Sequence, residues 1–155
     1  MRTLHNIDLK NNESGFTLRW QDRLILSHTA DAPCLWIGAG EADIEMFRGN
    51  FSIKDKLNEK IALTDATVTQ QSAGWAIRFT RGDAVSATLL VGVDVEGRLE
   101  LKLKNDAASH NRIWLRLAAQ PEDHIYGCGE QFSYFDLRGK PFPLWTSEQG
   151  VGRNK

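Results

Sequence analysis

Three carboxylates near the end of the chain, Glu130, Asp136 and Glu148, are the residues whose type could support acid and base chemistry. They stand six and eighteen positions apart in "GEQFSYFDLRGKPFPLWTSEQG", a spacing on loop or hairpin that holds no set separation between carboxyl groups. Their simplest reading is solvated or loop-capping carboxylates. The histidines His5, His28, His110 and His124 show no metal-ligand spacing, and His110 falls in a polar turn and His124 beside a proline-acidic bend, neither obviously paired with a carboxylate. A metal site and a mutarotase-type acid and base pair are therefore not expected. Cys34 and Cys128 lie far apart and read as reduced, buried thiols. "GVGRNK" lacks the Gly-Lys-Ser or Gly-Lys-Thr of a phosphate loop, so nucleotide binding has no support and no cofactor is expected.

The residues with the best claim to a site are aromatic and polar ones in the same segment. From Tyr126 onward glycines fall at 127, 129, 139, 150 and 152, and aromatics at 126, 132, 134, 135, 142 and 145. Glycine permits positive φ and close backbone approach, while aromatic faces stack on sugar rings or pack in a core.

The elements that must position this segment are strands. Period-2 alternation runs through the chain: Phe16, Leu18 and Trp20 oppose Thr17 and Arg19, and Trp75, Ile77 and Phe79 oppose Ala76, Arg78 and Thr80. In "GRLELKLKN" Leu99, Leu101 and Leu103 oppose a fully charged face. Turn signals at 11–15, 72–74, 81–83, 95–97 and 105–111 separate these runs. The pattern predicts strands near 4–9, 16–20, 23–28, 33–37, 43–47, 50–54, 58–63, 66–71, 75–80, 84–93, 98–104 and 112–119, with no long helix. That is an all-β chain, an antiparallel β-sandwich. "RIWLRLAAQ" reads as a strand covered on both sides, and the tryptophans at 20, 36, 75 and 114 read as core. Trp145 is the exception.

At 155 residues the chain suffices for one domain, which would bury roughly 70% of its unfolded surface. A net charge of -1 points to neither nucleic acid nor an anionic membrane as partner. "MRTLHNIDLK" has no apolar run of signal-peptide kind, and no stretch approaches the ~20 apolar residues of a membrane span. A soluble, cytoplasmic protein is expected.

"YGCGEQFSYFDLRGKPFPLWTSEQGVGRNK" resembles the end of the N-terminal β-sandwich of glycoside hydrolase family 31. The matching positions are Tyr126, Gly127, Gly129, Glu130, Asp136, Leu137, Arg138, Gly139, Lys140, Trp145 and Thr146. Gln131 and Phe132, with "WTSEQGVGRNK", look most like the sulfoquinovosidase branch, as do "CLWIG", "MFRGNFSIKDK" and "NRIWLRLAAQPEDHIYGCGEQF" upstream. The resemblance implies a sandwich of galactose mutarotase-like type over residues 1–155, with 126–155 a hairpin and loop segment facing a (β/α)₈ barrel. It also implies that the two catalytic aspartates of a retaining α-glycosidase belong to that barrel, and no residue here matches them. The chain then reads as a non-catalytic domain that stops before its barrel. Glu130, Gln131, Phe132, Tyr134 and Trp145 are the candidates for the substrate rim, and an α-glycoside such as a sulfoquinovoside would be met only in the complete enzyme. Without the barrel, the apolar surface of the terminal aromatics and of the 112–119 strand is expected to favour self-association. The competing reading is a stand-alone carbohydrate-binding or protein-interaction module.

Overall fold

The computed structural model describes residues 6–47, 50–83, 85–127 and 134–141. Ten strands follow one another: β1 (Ile7–Asn12), β2 (Gly15–Trp20), β3 (Arg23–Thr29), β4 (Leu35–Phe47), β5 (Asn50–Ala62), β6 (Asp65–Gln71), β7 (Gly74–Arg81), β8 (Val85–Val93), β9 (Leu99–Asn105) and β10 (Arg112–Leu115). They form three antiparallel sheets, ordered β1-β2-β3, β10-β4-β5 and β6-β7-β8-β9. No helix occurs among the described residues.

Two expected strand pairs turn out to be single strands. The runs 33–37 and 43–47 are one 13-residue β4, and 50–54 and 58–63 fall in a 13-residue β5. "IGAGEAD" continues extended between the two expected runs, and Gly38 passes so near the Glu59 carbonyl oxygen that a Cβ in its place would collide with it. The expected strand 112–119 is also shorter. Pairing with β4 covers only Arg112 to Leu115, and beyond it Arg116 and Ala118 each spend their N–H on an isolated carbonyl, of Cys34 and Ile25.

The chain divides into two compact units, Met1–Glu41 with Leu57–Ala119 and Ala42–Lys56 with Gln120–Lys155. The first holds the core. Alternation places Phe16 and Leu18 of β2, Leu26 of β3, Leu35 and Ile37 of β4, Ile77 and Phe79 of β7 and Leu89 and Val91 of β8 inward in one cluster. Leu99, Leu101 and Leu103 of the edge strand β9 pack against it while half-exposed. Trp20, Trp36, Trp75 and Trp114 are only partly buried, so the expectation of core tryptophans holds for the inward faces of Trp20 and Trp75 and fails for Trp36 and Trp114.

Hairpin chemistry accounts for three tight connections. Between β2 and β3 the residues Gln21 and Asp22 both take positive φ, 48° and 63°, the conformation of a type I′ turn whose twist suits paired strands. Gly15 and Gly74 begin β2 and β7 in matching conformations, φ 147° and 145°, facing the carbonyls of His28 and Val91.

His28 is the one buried polar side chain among the described core residues. It stacks on Phe16 at 5.5 Å and meets Phe79 edge-on at 5.2 Å. The Cys34 N–H donates to its Nδ1 at 3.3 Å, which places the ring proton on Nε2, and Nε2 donates to the Thr64 carbonyl at 3.1 Å. Burial holds its pKa below the usual 6.5, and a second proton would land on Nδ1 against an N–H donor. The neighbouring Cys34 thiol is free and buried, with its pKa pushed up to about 11 by burial. Cys128 lies outside the described residues.

Because the unfolded chain takes up this proton near pH 6.5 and the folded chain only at lower pH, stability should fall on acidification through that window. The slope from this group alone is at most about 1.4 kcal/mol per pH unit. Urea unfolding at pH 7.5, 6.5 and 5.5 with NMR titration of the His28 ring checks it. A His28 imidazole that titrates at or above 6.5 would contradict the buried, neutral assignment.

Candidate functional site

In the second unit the segment from Gln120 to Gly127 and the segment from Tyr134 to Pro141 are bound side by side. The Asp136 carboxylate does most of this. One oxygen accepts from His124 Nδ1 at 2.7 Å, and the other accepts from the N–H groups of Ile125, at 3.1 Å, and Arg138, at 3.0 Å. These bonds, that of His124 foremost, hold its pKa at about 2. Leu137 buries its side chain and donates its N–H to the Ile125 carbonyl at 2.8 Å. Arg138 Nη1 reaches the carbonyls of Gln120 and Asp123.

The loop so braced presents rings outward. Tyr126 stacks on His124 at 6.0 Å and tilts against Phe135 at 5.1 Å. Phe135 is 89% exposed and Tyr126 56%. Tyr134 is half-exposed, with Lys140 Nζ 4.9 Å above its ring. Of the rim candidates only Tyr134 falls among the described residues; Glu130, Gln131, Phe132 and Trp145 lie outside them. Tyr126 and Phe135, the exposed rings that flank this stretch, are not among the rim candidates, although Tyr126 is a motif position and the aromatic density marks the segment.

Asp136 is a loop-capping carboxylate, as its sequence setting suggests. The absence of a histidine and carboxylate pairing is, however, overturned twice. His124 bonds Asp136, and His110 Nε2 stands 3.4 Å from the Glu59 carboxylate without hydrogen-bond geometry. Linear sequence hid both pairs because each joins residues of separate elements. Neither pair has the arrangement of a mutarotase, whose acid and base must face each other across a sugar ring. His124 and Asp136 are in direct contact, and His110 is partly buried with Ser109 Oγ on its Nδ1 at 3.0 Å.

The first unit carries a separate aromatic face. Pairing of β10 with β4 sets Trp114 opposite Trp36, and Lys60 Nζ of β5 lies over both rings, 4.6 Å from Trp114 and 5.4 Å from Trp36. The Arg116 guanidinium adds a second cation 5.4 Å from Trp36. These ring faces are already occupied by cations of the chain itself. On the same sheet, Ile113 is exposed, and beyond the strand so is Leu117. Residues 112–119 are thus not covered on both sides along their length. No group of three or more potential metal ligands occurs among the described residues, and no described helix is long and apolar enough to cross a membrane.

The sequence model of the glycosyl hydrolase 31 N-terminal galactose mutarotase-like domain matches residues 9–154. The chain belongs to this family. This family 31 domain is 75% identical over 152 residues to a sulfoquinovosidase of Escherichia coli K12, an alignment covering 98% of the chain and 22% of that protein. It is 41% identical over 153 residues to a sulfoquinovosidase of Agrobacterium fabrum, covering 94% and 21%. Among solved structures, a family 31 sulfoquinovosidase from E. rectale in complex with an aza-sugar inhibitor matches with a TM-score of 0.76 and 37% identity, over 95% of this chain and 21% of that one. The family 31 domain therefore spans about a fifth of the length of the relatives it matches.

Proposed function

We propose that residues 1–155 act as the non-catalytic N-terminal domain of a retaining α-glycosidase that hydrolyses α-sulfoquinovosides, in the cytoplasm. In this reading 126–155 faces a (β/α)₈ barrel that supplies the nucleophile and the acid, the two carboxyl groups that retaining enzymes hold about 5 Å apart. Glu130, Gln131, Phe132, Tyr134 and Trp145 shape the rim of the sugar pocket, and Tyr126 and Phe135 pack on the barrel. The observation that carries the proposal is 75% identity to a sulfoquinovosidase along nearly the whole chain. The chemistry of the described loop supports the non-catalytic part. Asp136, a carboxylate of this segment, has its oxygens committed to three donors and stays ionised down to about pH 2, so it is not suited to act as a general acid.

A second reading, a stand-alone carbohydrate-binding or protein-interaction module, draws on the exposure of Tyr126 and Phe135. One experiment separates the two. The 155-residue chain alone should release no chromophore from a chromogenic α-sulfoquinovoside, whereas the chain joined to the remaining sequence of the E. coli relative should. Turnover by the isolated chain that a mechanism-based glycosidase inhibitor abolishes would refute the non-catalytic assignment. An inactive fusion together with sugar binding by the isolated chain would favour the module.

A further inference from the structure

We propose that Asp136 and Arg138 are positioning residues, which hold the Tyr126 and Phe135 ring pair in a preset orientation as the surface that docks on the remainder of a longer enzyme chain. The proposal rests on the reading above for its partner. Its geometry stands independently of that reading.

Each exposed ring sits one residue from a pinned one. Tyr126 follows Ile125, whose N–H is held by Asp136 and whose carbonyl is held by the Leu137 N–H. Phe135 precedes Asp136, which is itself tied to His124 and to Ile125. The two segments are thus cross-linked on either side of the ring pair, and the rings meet at 5.1 Å. Arg138 extends the brace by one turn of the loop, because its guanidinium engages the carbonyls of Gln120 and Asp123 upstream of His124. His124, stacked beneath Tyr126 while bonded to Asp136, couples the carboxylate to the ring's orientation directly.

An aromatic ring 89% exposed gains nothing from burial in this domain, yet the residue that follows it, Asp136, accepts three hydrogen bonds through its carboxylate. Holding a loop in one conformation before association removes an ordering cost that docking would otherwise incur. Large, rigid aromatics seated in that way are the residues that dominate interface energies. The partner is set by length: this domain matches only 22% and 21% of the two relatives, so most of each lies beyond it.

The test uses the 155-residue chain and its fusion to the remaining sequence of the E. coli relative, each as wild type, Asp136→Ala, Asp136→Asn, Arg138→Gln and Arg138→Lys. In the chain alone, NMR should show Tyr126 to Phe135 ring contacts in the wild type. Asp136→Ala and Arg138→Gln should lose them while the methyl resonances of the core stay in place. Asp136→Asn keeps a side-chain oxygen for the Ile125 and Arg138 amides and should retain the contacts, as should Arg138→Lys. In an active fusion, Asp136→Ala should lower kcat/KM by about tenfold with Asp136→Asn restoring most of it. Unaltered ring contacts in both disruptive variants would overturn the positioning role, and unaltered kinetics in an active fusion would overturn the docking role. A fusion inactive as wild type would count against the proposed function, and the ring contacts would still decide the positioning.

Discussion

Replacing Phe79 with alanine should destabilise the domain by about 3–5 kcal/mol, a large share of the 5–15 kcal/mol typical of a folded domain. Phe79 is fully buried on β7, meets Phe16 at 5.8 Å and His28 at 5.2 Å, and so lies where sheets β1-β2-β3 and β6-β7-β8-β9 share the core. Removal of its ring leaves a cavity lined by residues anchored in two sheets, which limits how far the site can collapse. It also exposes one edge of His28 to whatever enters the space, and the neutral imidazole then loses part of the burial that lowers its pKa. Thermal unfolding should show a fall of roughly 10 °C or more. Phe135→Ala provides the control, since a ring 89% exposed should change stability by no more than about 0.5 kcal/mol. Equal effects of the two substitutions would mean that the core is not where these contacts place it.

The second large effect is expected at Gly74. Its φ of 145° is a conformation that side chains rarely adopt, and a Cβ there would lie 1.9 Å from the Val91 carbonyl oxygen on the neighbouring strand. The oxygen belongs to backbone inside the β7 and β8 ladder, which pairs Gly74 with Gly92 and Trp75 with Val91. It cannot retreat without breaking that register. Gly74→Ala should therefore cost about 3 kcal/mol, at the upper end of what a strained backbone conformation contributes. Gly82→Ala, at φ 58° with open space around the Cβ position, should cost only about 1–2 kcal/mol. Urea midpoints of the two variants measure the difference, and a Gly74→Ala protein as stable as Gly82→Ala would show that the close approach does not exist. Gly15, with the His28 carbonyl oxygen 1.9 Å from its Cβ position, repeats the arrangement at the start of β2.

Alternation made most of the sandwich readable. Phe16 and Leu18, like Ile77 and Phe79, are buried at the positions that period 2 assigns. Turn residues marked the connections at 72–74 and 95–97. The reading failed at the long strands, splitting β4 and β5 in two each, and inside β4 Gly38 serves the close approach of β5. It failed again at the tryptophans, because their size argues for burial while only pairing decides which face they take. Trp36 and Trp114 lie 78 positions apart, and the antiparallel register of β4 and β10 alone sets them opposite each other beneath Lys60.

The candidate site divides along the same line. The density of aromatics and glycines singled out the terminal segment as its candidate, and the motif residues Asp136, Leu137 and Arg138 were legible as a family pattern. What they do was not. A carboxylate twelve positions from a histidine has no defined distance to it until Leu137 is buried and bonded to Ile125, at which point Asp136 faces His124, Ile125 and Arg138 together. The amino-acid sequence by itself determined the all-β class, the inward face of strands such as β2 and β7 and the family, because side-chain alternation and motif identity are properties of neighbours along the chain. Only the tertiary structure decided which carboxylate meets which histidine, which rings stay exposed and which strands are continuous, because cross-strand register and loop bracing depend on contacts between residues that the chain keeps far apart.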